Sequence, residues 1–329
     1  MRDTVLYFVI PCYNEEEVLL ETGKRLWGKM KQLIAANKIS RKSHVLFVND
    51  GSTDKTWSII TRLHEWNPIF SGLSLSRNEG HQNALLAGLL YARDHCDISI
   101  SMDADLQDDI EAVDEMISRY EGGCNIVYGV RSNRDSDTWF KRHSAHAFYK
   151  LMNKMGVEMV SDHADFRLMD RKALIGLSEF KEVNLFLRGI VPMIGYKTDK
   201  VYYKRGERFA GKSKYPLKKM FSFSIQGITS LSVQPIRMIT NTGLFIFLVS
   251  IAFLIWGIVQ KVRGVTVAGW PSLIVSIWAI GGLILLSIGV IGEYIGKIYL
   301  EAKERPRFLI DEVMDTGESK VDGPYERLR

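Results

Sequence analysis

The sequence predicts an α/β fold, in which a mostly parallel β-sheet with helices on both faces is followed by an interfacial helix and two transmembrane helices. Three observations predict it. Short apolar, β-rich runs alternate with segments of helical period, polar and acidic motifs follow directly on the strands, and two long uncharged stretches lie toward the C-terminal end.

Strands are expected at Val5 to Ile10, His44 to Asn49, Phe70 to Ser76 and Ile98 to Met102, with helical patterns between them at Glu15 to Ala36, Lys55 to Trp66 and His81 to His95. This alternation favours parallel pairing, and ligands of such sheets bind beyond the carboxyl ends of the strands. Further strands are read at Asn125 to Val130 and Val201 to Lys204. With 329 residues the chain holds one domain of over 200 residues and a membrane module. Cys12, Cys96 and Cys124 have no paired spacing, so neither a disulfide framework nor a zinc site is expected, and a reducing compartment fits. The first apolar run is stopped by Pro11 and is too short for a signal-peptide core, which leaves the N-terminus where it is made.

No charged residue occurs from Met238 to Gln260 or from Gly264 to Gly292, and each run exceeds the roughly 20 apolar residues that cross a hydrocarbon core. Trp270 and Pro271 suit the start of the second span. The connection carries Lys261 and Arg263, whereas the outer flanks carry Lys212, Lys214, Lys218, Lys219, Arg237, Lys297, Lys303, Arg305 and Arg307. By the positive-inside rule both flanks, and the soluble domain with them, are cytosolic. From Pro216 to Gln234, Leu217, Phe221, Ile225, Ile228 and Leu231 fall at helical spacing, as in a helix lying in the membrane interface or packed on the soluble domain. The expected division is therefore 1–215 soluble domain, 216–234 amphipathic helix, 235–297 two-span hairpin and 298–329 cytosolic tail, loosely ordered beyond Asp311.

The chemistry-bearing residues follow the strands. "PCYNEEE", "NDGSTD", "SRNEG" and "DADLQD" succeed the first four, bringing Asn14, Glu15, Asp50, Asp54, Arg77, Asp103, Asp105 and Gln107 to one crevice. "NDGSTD" alone reads equally well as a turn and helix cap. At a strand end, residues two apart point the same way, so Asp103 and Asp105 are expected to address one divalent cation, Mg²⁺ or Mn²⁺, through oxygen ligands. No G-x-G-x-x-G follows a strand, which disfavours a dinucleotide dehydrogenase. "GERFAGKS" (206–213) matches the P-loop pattern, but Pro216 and the membrane segment follow where a P-loop needs a helix, so it reads as a basic, flexible loop.

With these motifs followed by "GVRSNR", "DFRLMD" and "RFAGKSKY", the chain resembles family 2 glycosyltransferases of the GT-A fold over residues 4 to 310, and within them the polyisoprenyl-phosphate glycosyltransferases with a two-span C-terminal anchor. The resemblance implies that Pro11, Tyr13, Glu15 and Asp50 hold the nucleoside and that Arg77 and Gly80 lie against the nucleotide. It implies that Asp103 makes ribose or metal-linked contacts, that Asp105 ligates the ion, and that Gln107 supports the metal shell or the acceptor phosphate. Arg131, Arg134 and Arg142 are candidates for the acceptor phosphate, because guanidinium forks suit a phosphate dianion, with solvated surface charge as the alternative for the last two. Arg205, Arg208 and Lys212 belong to a lid-like loop by the same resemblance, and attraction to anionic lipid explains its lysines equally well. Asp165 is the candidate general base by analogy; alternatively it positions Arg167.

The activity implied is metal-dependent, inverting transfer of a hexose or N-acetylhexosamine from a nucleotide diphosphate sugar, UDP-linked, to polyprenyl phosphate on the cytosolic leaflet. Expected partners are that donor, that acceptor, the lipid bilayer and further copies of the chain in a tetramer, with no nucleic acid. A processive polysaccharide synthase is disfavoured because no Gln-x-x-Arg-Trp string occurs and two spans make a poor pore. A non-catalytic nucleotide-sugar scaffold would have no need of Asp105 or Arg131.

Overall fold

The computed structural model describes residues 3–132, 163–183, 185–204, 206, 232–263 and 269–315. Its strands are β1 (Leu6–Cys12), β2 (His44–Asn49), β3 (Phe70–Leu75), β4 (Ile98–Ser101), β5 (Ile126–Arg131), β6 (His163–Asp170), β7 (Thr198–Tyr203) and β8 (Ile310–Met314). Its helices are α1 (Leu19–Ala35), α2 (Thr56–Trp66), α3 (His81–His95), α4 (Ala112–Glu121), α5 (Arg171–Ser178), α6 (Leu187–Met193), α7 (Gln234–Val262) and α8 (Trp270–Ala302). The chain divides into two compact units, one holding the sheet with α1 to α6 and the other holding α7 and α8.

The strands form one sheet in the order β7-β5-β6-β4-β1-β2-β3-β8. Pairings β1–β2, β1–β4, β2–β3 and β5–β7 are parallel. β6 runs antiparallel to β4 and β5, and β8 antiparallel to β3. The central strand β1 is buried along its whole length, which is why it reads as an unbroken apolar run rather than an alternating one. On one face Leu6, Phe8 and Ile10 pack with Leu26 and Met30 of α1, Ile59 and Ile60 of α2, and Val113 and Met116 of α4. On the other face α3 lies so close that a Cβ on Gly88 would sit 2.4 Å from Val9 Cγ1 and 2.7 Å from Val48 Cγ2. Glycine there is a packing requirement.

The C-terminal segment corrects one expectation. Up to Asp315 the chain is ordered against the sheet: Ile310–Met314 forms the edge strand β8, with Leu73 opposite Val313 and Gly72 opposite Met314, and residues 316–329 lie outside the described residues. Asp315, with its side chain only 3% exposed, accepts hydrogen bonds from the hydroxyls of Tyr91 (2.7 Å), Ser71 (3.1 Å) and Tyr7 (3.4 Å). Burying a carboxylate is tolerated because hydroxyls replace the water it leaves. The strands at the two edges, β7 and β8, therefore flank the α7–α8 segment in sequence.

α7 and α8 are 29 and 33 residues long, and each contains an apolar window long enough to cross a membrane, Gln234–Phe253 and Ala279–Ala302, of which no part is buried within the protein. α8 begins at Trp270 with Pro271 in its first turn, as expected. A soluble core helix would be covered by its own domain, whereas Phe245, Phe253 and Leu285 are each at least 66% exposed. The proposed interfacial helix lies outside the described residues apart from its last few positions.

Candidate active site

The loops after β1 and β2 are laced together. Asn14, in the left-handed region at φ 52°, accepts from the Thr53 amide (2.9 Å), while its own amide donates to Ser52 Oγ (3.1 Å). The Glu15 amide donates to Thr56 Oγ1 (2.9 Å), and Asp54 accepts from the amides of Thr56 (2.9 Å) and Glu16 (3.2 Å). Asp50, buried, accepts from the amides of Glu79 (2.7 Å) and Gly80 (3.0 Å), which locks the β3–α3 loop onto the end of β2. Gly51 makes that lock possible: its φ is +59°, and a Cβ would lie 2.4 Å from the Arg77 carbonyl carbon. Pro11 is buried within β1, Tyr13 is 40% exposed at the rim, and Arg77 points outward to pair with Glu79 at 2.6 Å.

The β4 end corrects the geometry expected for the carboxylate pair. β4 stops at Ser101, and Ala104 and Asp105 lie in a turn with Leu106 at φ 59°, so turn geometry rather than strand alternation relates Asp103 to Asp105. Thr22 Oγ1 of α1 holds this turn by donating to the Ala104 carbonyl at 2.7 Å, and the Gln107 amide donates to Asp105 at 3.2 Å. The Gln107 carbonyl accepts from the Gly206 amide at 2.8 Å, which brings residue 206 to this turn. Arg205, Arg208 and Lys212, like Arg134 and Arg142, lie outside the described residues.

Two further groups complete the centre. α3 opens with His81, whose Nε2 is 3.7 Å from Asp103 Oδ1 and 3.4 Å from Asp165 Oδ2. Asp165 reaches the crevice because β6 is antiparallel, so its beginning lies at the same end of the sheet as the ends of β4 and β5. Its carboxylate accepts from Arg167 at 2.8 Å and from a fork of Arg188 on α6, Nε at 3.3 Å and Nη2 at 3.2 Å. Burial alone would raise the Asp165 carboxyl; Arg188, then His81 and Arg167, outweigh it and hold it well below the usual carboxylate range. Burial alone would lower His81, but Asp165 and Asp103 raise it to about 9. Asp103 is pushed up by burial, with the charges of Asp165 and Asp105 adding to the effect and His81 opposing it.

Arg131 closes the far side, at the end of β5. Its Nε lies 3.4 Å from Tyr203 Oη and its Nη2 3.7 Å from Asp108, while Tyr203 donates to Asp108 at 2.5 Å. Burial and the charge of Asp103 push Asp108 up to about 6, against the Tyr203 hydrogen bond and Arg131.

The donor set fits a hard divalent cation. Among the described residues His81, Asp103 and Asp165 each place a ligand atom within 4.8 Å of the others; Asp105 stands outside that group, although Asp103 feels its charge. Asp165 is already neutralised by two guanidiniums. Asp103 and Asp105 share one turn at that group, and their carboxylate oxygens suit Mg²⁺ or Mn²⁺.

Sequence reasoning missed His81, Asp108 and Arg188. A signal existed for His81, the residue that follows "SRNEG" and opens a helix at the crevice. None existed for Arg188, which a seven-residue helix carries.

The family model described as Glycosyl transferase family 2 matches residues 7–177. The chain is 53% identical over 307 residues to the uncharacterized glycosyltransferase YkoT of Bacillus subtilis (strain 168), covering 93% of this chain and 91% of the relative. It is 40% identical over 306 residues to the bactoprenol glucosyl transferase of Shigella phage SfV, covering 92% and 96%. To the prophage bactoprenol glucosyl transferase homolog of Escherichia coli (strain K12) it is 40% identical over 309 residues, covering 93% and 98%. The sheet, its strand-end crevice and these matches together establish that the chain belongs to glycosyl transferase family 2 and is a glycosyltransferase.

Proposed function

We propose that the protein transfers a hexose or N-acetylhexosamine, of the UDP-glucose type, from its nucleotide diphosphate to polyprenyl phosphate at the cytosolic face of the membrane. Near-full-length similarity to bactoprenol glucosyl transferases supports the acceptor class, and two helices whose apolar windows are unburied among the described residues support a lipid-borne one.

In this reading an acceptor phosphate oxygen attacks the anomeric carbon, the bond from that carbon to the donor's β-phosphate oxygen breaks, and configuration inverts. The phosphate monoester has a second pKa of about 6, so near neutral pH the nucleophile needs no proton removed. The observation that carries the mechanism is the Asp165 carboxylate, held ionised between Arg167 and Arg188. A carboxylate so stabilised is a weak proton acceptor, and its role here is to position the two guanidiniums rather than to act as a general base. Asp103 and Asp105 would hold a divalent cation, which when bound supplies charge neutralisation on the departing diphosphate. Asp50 sets the nucleoside side of the crevice by fixing the loop at Glu79 and Gly80, beneath Pro11, Tyr13, Glu15 and Arg77. Arg131, steadied by Tyr203 and Asp108, takes the acceptor phosphate together with Arg134, Arg142 and the basic loop. Catalysis then rests on orientation and electrostatics.

The test is incubation of the purified full chain with undecaprenyl phosphate, Mg²⁺ or Mn²⁺, and a panel of labelled nucleotide sugars. Label entering the organic phase from one donor identifies the sugar. Label accumulating only as a water-soluble polymer overturns the reading.

A further inference from the structure

Two guanidiniums converge on one carboxylate, and they are not equivalent. Arg167 is fully buried and bonded to Asp165 Oδ1 at 2.8 Å; its Nε and Nη1 have no hydrogen-bond partner among the described residues. Its charge is therefore compensated chiefly by Asp165, and the two form a fixed pair. Arg188 is different. Its side chain is one-third exposed, its two bonds to Asp165 are longer, at 3.2 and 3.3 Å, and it presents the flat fork that matches paired oxygens.

Arg188 is also well placed. It is the second residue of α6, whose first amide, that of Leu187, donates to Gln82 Oε1 at 2.9 Å. Gln82 follows His81 in the first turn of α3, so Arg188 is tied to the wall that faces Asp103. Arg167 and His81 remain beside Asp165 if Arg188 turns away, and anionic phosphate oxygens would take the place of the carboxylate on its guanidinium.

We infer that Arg188 is a phosphate-binding residue of the crevice: it rests on Asp165 in the substrate-free protein and exchanges that carboxylate for phosphate oxygens of a bound substrate. The inference rests on the proposed glycosyl transfer for the identity of its ligands, which are either the diphosphate of the donor or the monophosphate of the acceptor. Both offer the paired anionic oxygens that a guanidinium fork recognises.

The experiment compares wild type with Arg188→Met and Arg188→Lys in the full-length protein. UDP affinity is measured by calorimetry without turnover, and KM is measured separately for UDP-glucose and for undecaprenyl phosphate. Losing a hydrogen-bonded charge is expected to weaken the relevant ligand roughly tenfold to a hundredfold in Arg188→Met, with partial recovery in Arg188→Lys, which restores charge without the fork. A loss of UDP affinity assigns Arg188 to the donor diphosphate. A rise confined to the KM for undecaprenyl phosphate assigns it to the acceptor. Unchanged UDP affinity together with unchanged KM values in both variants overturns the inference, whether or not kcat or the melting midpoint falls. If wild type binds UDP but moves no sugar to lipid, the proposed acceptor fails while the UDP titration still decides whether Arg188 holds the diphosphate.

Discussion

Arg167 donates to Asp165 at 2.8 Å from a position with no exposure to solvent, so the crevice carboxylate is also the counter-ion of a buried cation. Removing that charge strands the guanidinium, at a typical cost of roughly 3 to 5 kcal/mol for breaking a buried pair. Asp165→Asn is expected to lower the melting midpoint of the full chain markedly, and the double variant Asp165→Asn/Arg167→Met to recover much of the loss. Additive effects in the two-residue cycle would show that the pair is not coupled.

The Asp315 carboxylate gathers the hydroxyls of Tyr91, Ser71 and Tyr7 at the end of α3 and the beginnings of β1 and β3. Asp315→Ala leaves three hydroxyls short of an acceptor, and the penalty for such orphaned groups is about 1 to 3 kcal/mol. Thermal unfolding is expected at a lower temperature than in wild type. A chain ended near Tyr215 loses β8 altogether and leaves the β3 edge bare, so it is expected to aggregate more readily than one in which residues 305–315 are rejoined after residue 206. Equal solubility of the two would remove β8 from the account.

The sheet-bearing unit is expected to weaken in acid as Asp114 becomes protonated. Burial alone would raise the Asp114 carboxyl, but hydrogen bonds from Lys29 (2.5 Å) and Lys38 (2.7 Å) outweigh it and lower it. A depressed folded-state value means stability fully present above the unfolded value of about 3.9 and lost as pH falls through the lower, folded one. Melting midpoints followed from pH 5 to pH 3 should therefore fall less in Asp114→Asn than in wild type; parallel curves would exclude this linkage.

The parallel part of the site was legible in sequence, because motifs that follow apolar runs must meet at one end of a parallel sheet. Asp50, Asp103 and Asp105 follow their strands to that end in this way, whereas Arg77 follows β3 but turns outward to Glu79. Asp165 was not legible in that way: β6 runs antiparallel to β4 and β5, so Asp165 comes to the crevice from the start of the strand, and only the family resemblance pointed to it. β8 was hidden because its partner, β3, lies over 200 residues earlier in the chain, with the apolar α7 and α8 intervening. The relation between Asp103 and Asp105 was misjudged because the strand ends at Ser101 and the turn follows sooner than the apolar run suggests.

Asp103 and Asp105 are proposed to serve transfer of a sugar from a nucleotide diphosphate to a lipid phosphate. The direct measurement is the rate at which label passes from UDP-glucose into undecaprenyl phosphate in the presence of Mg²⁺, for wild type and Asp105→Ala with matched melting midpoints. Wild type is expected to label the lipid in an acceptor-dependent way, and Asp105→Ala or EDTA to abolish the labelling. Lipid labelling at the wild-type rate in Asp105→Ala, or undiminished in EDTA, would contradict this role of the two carboxylates.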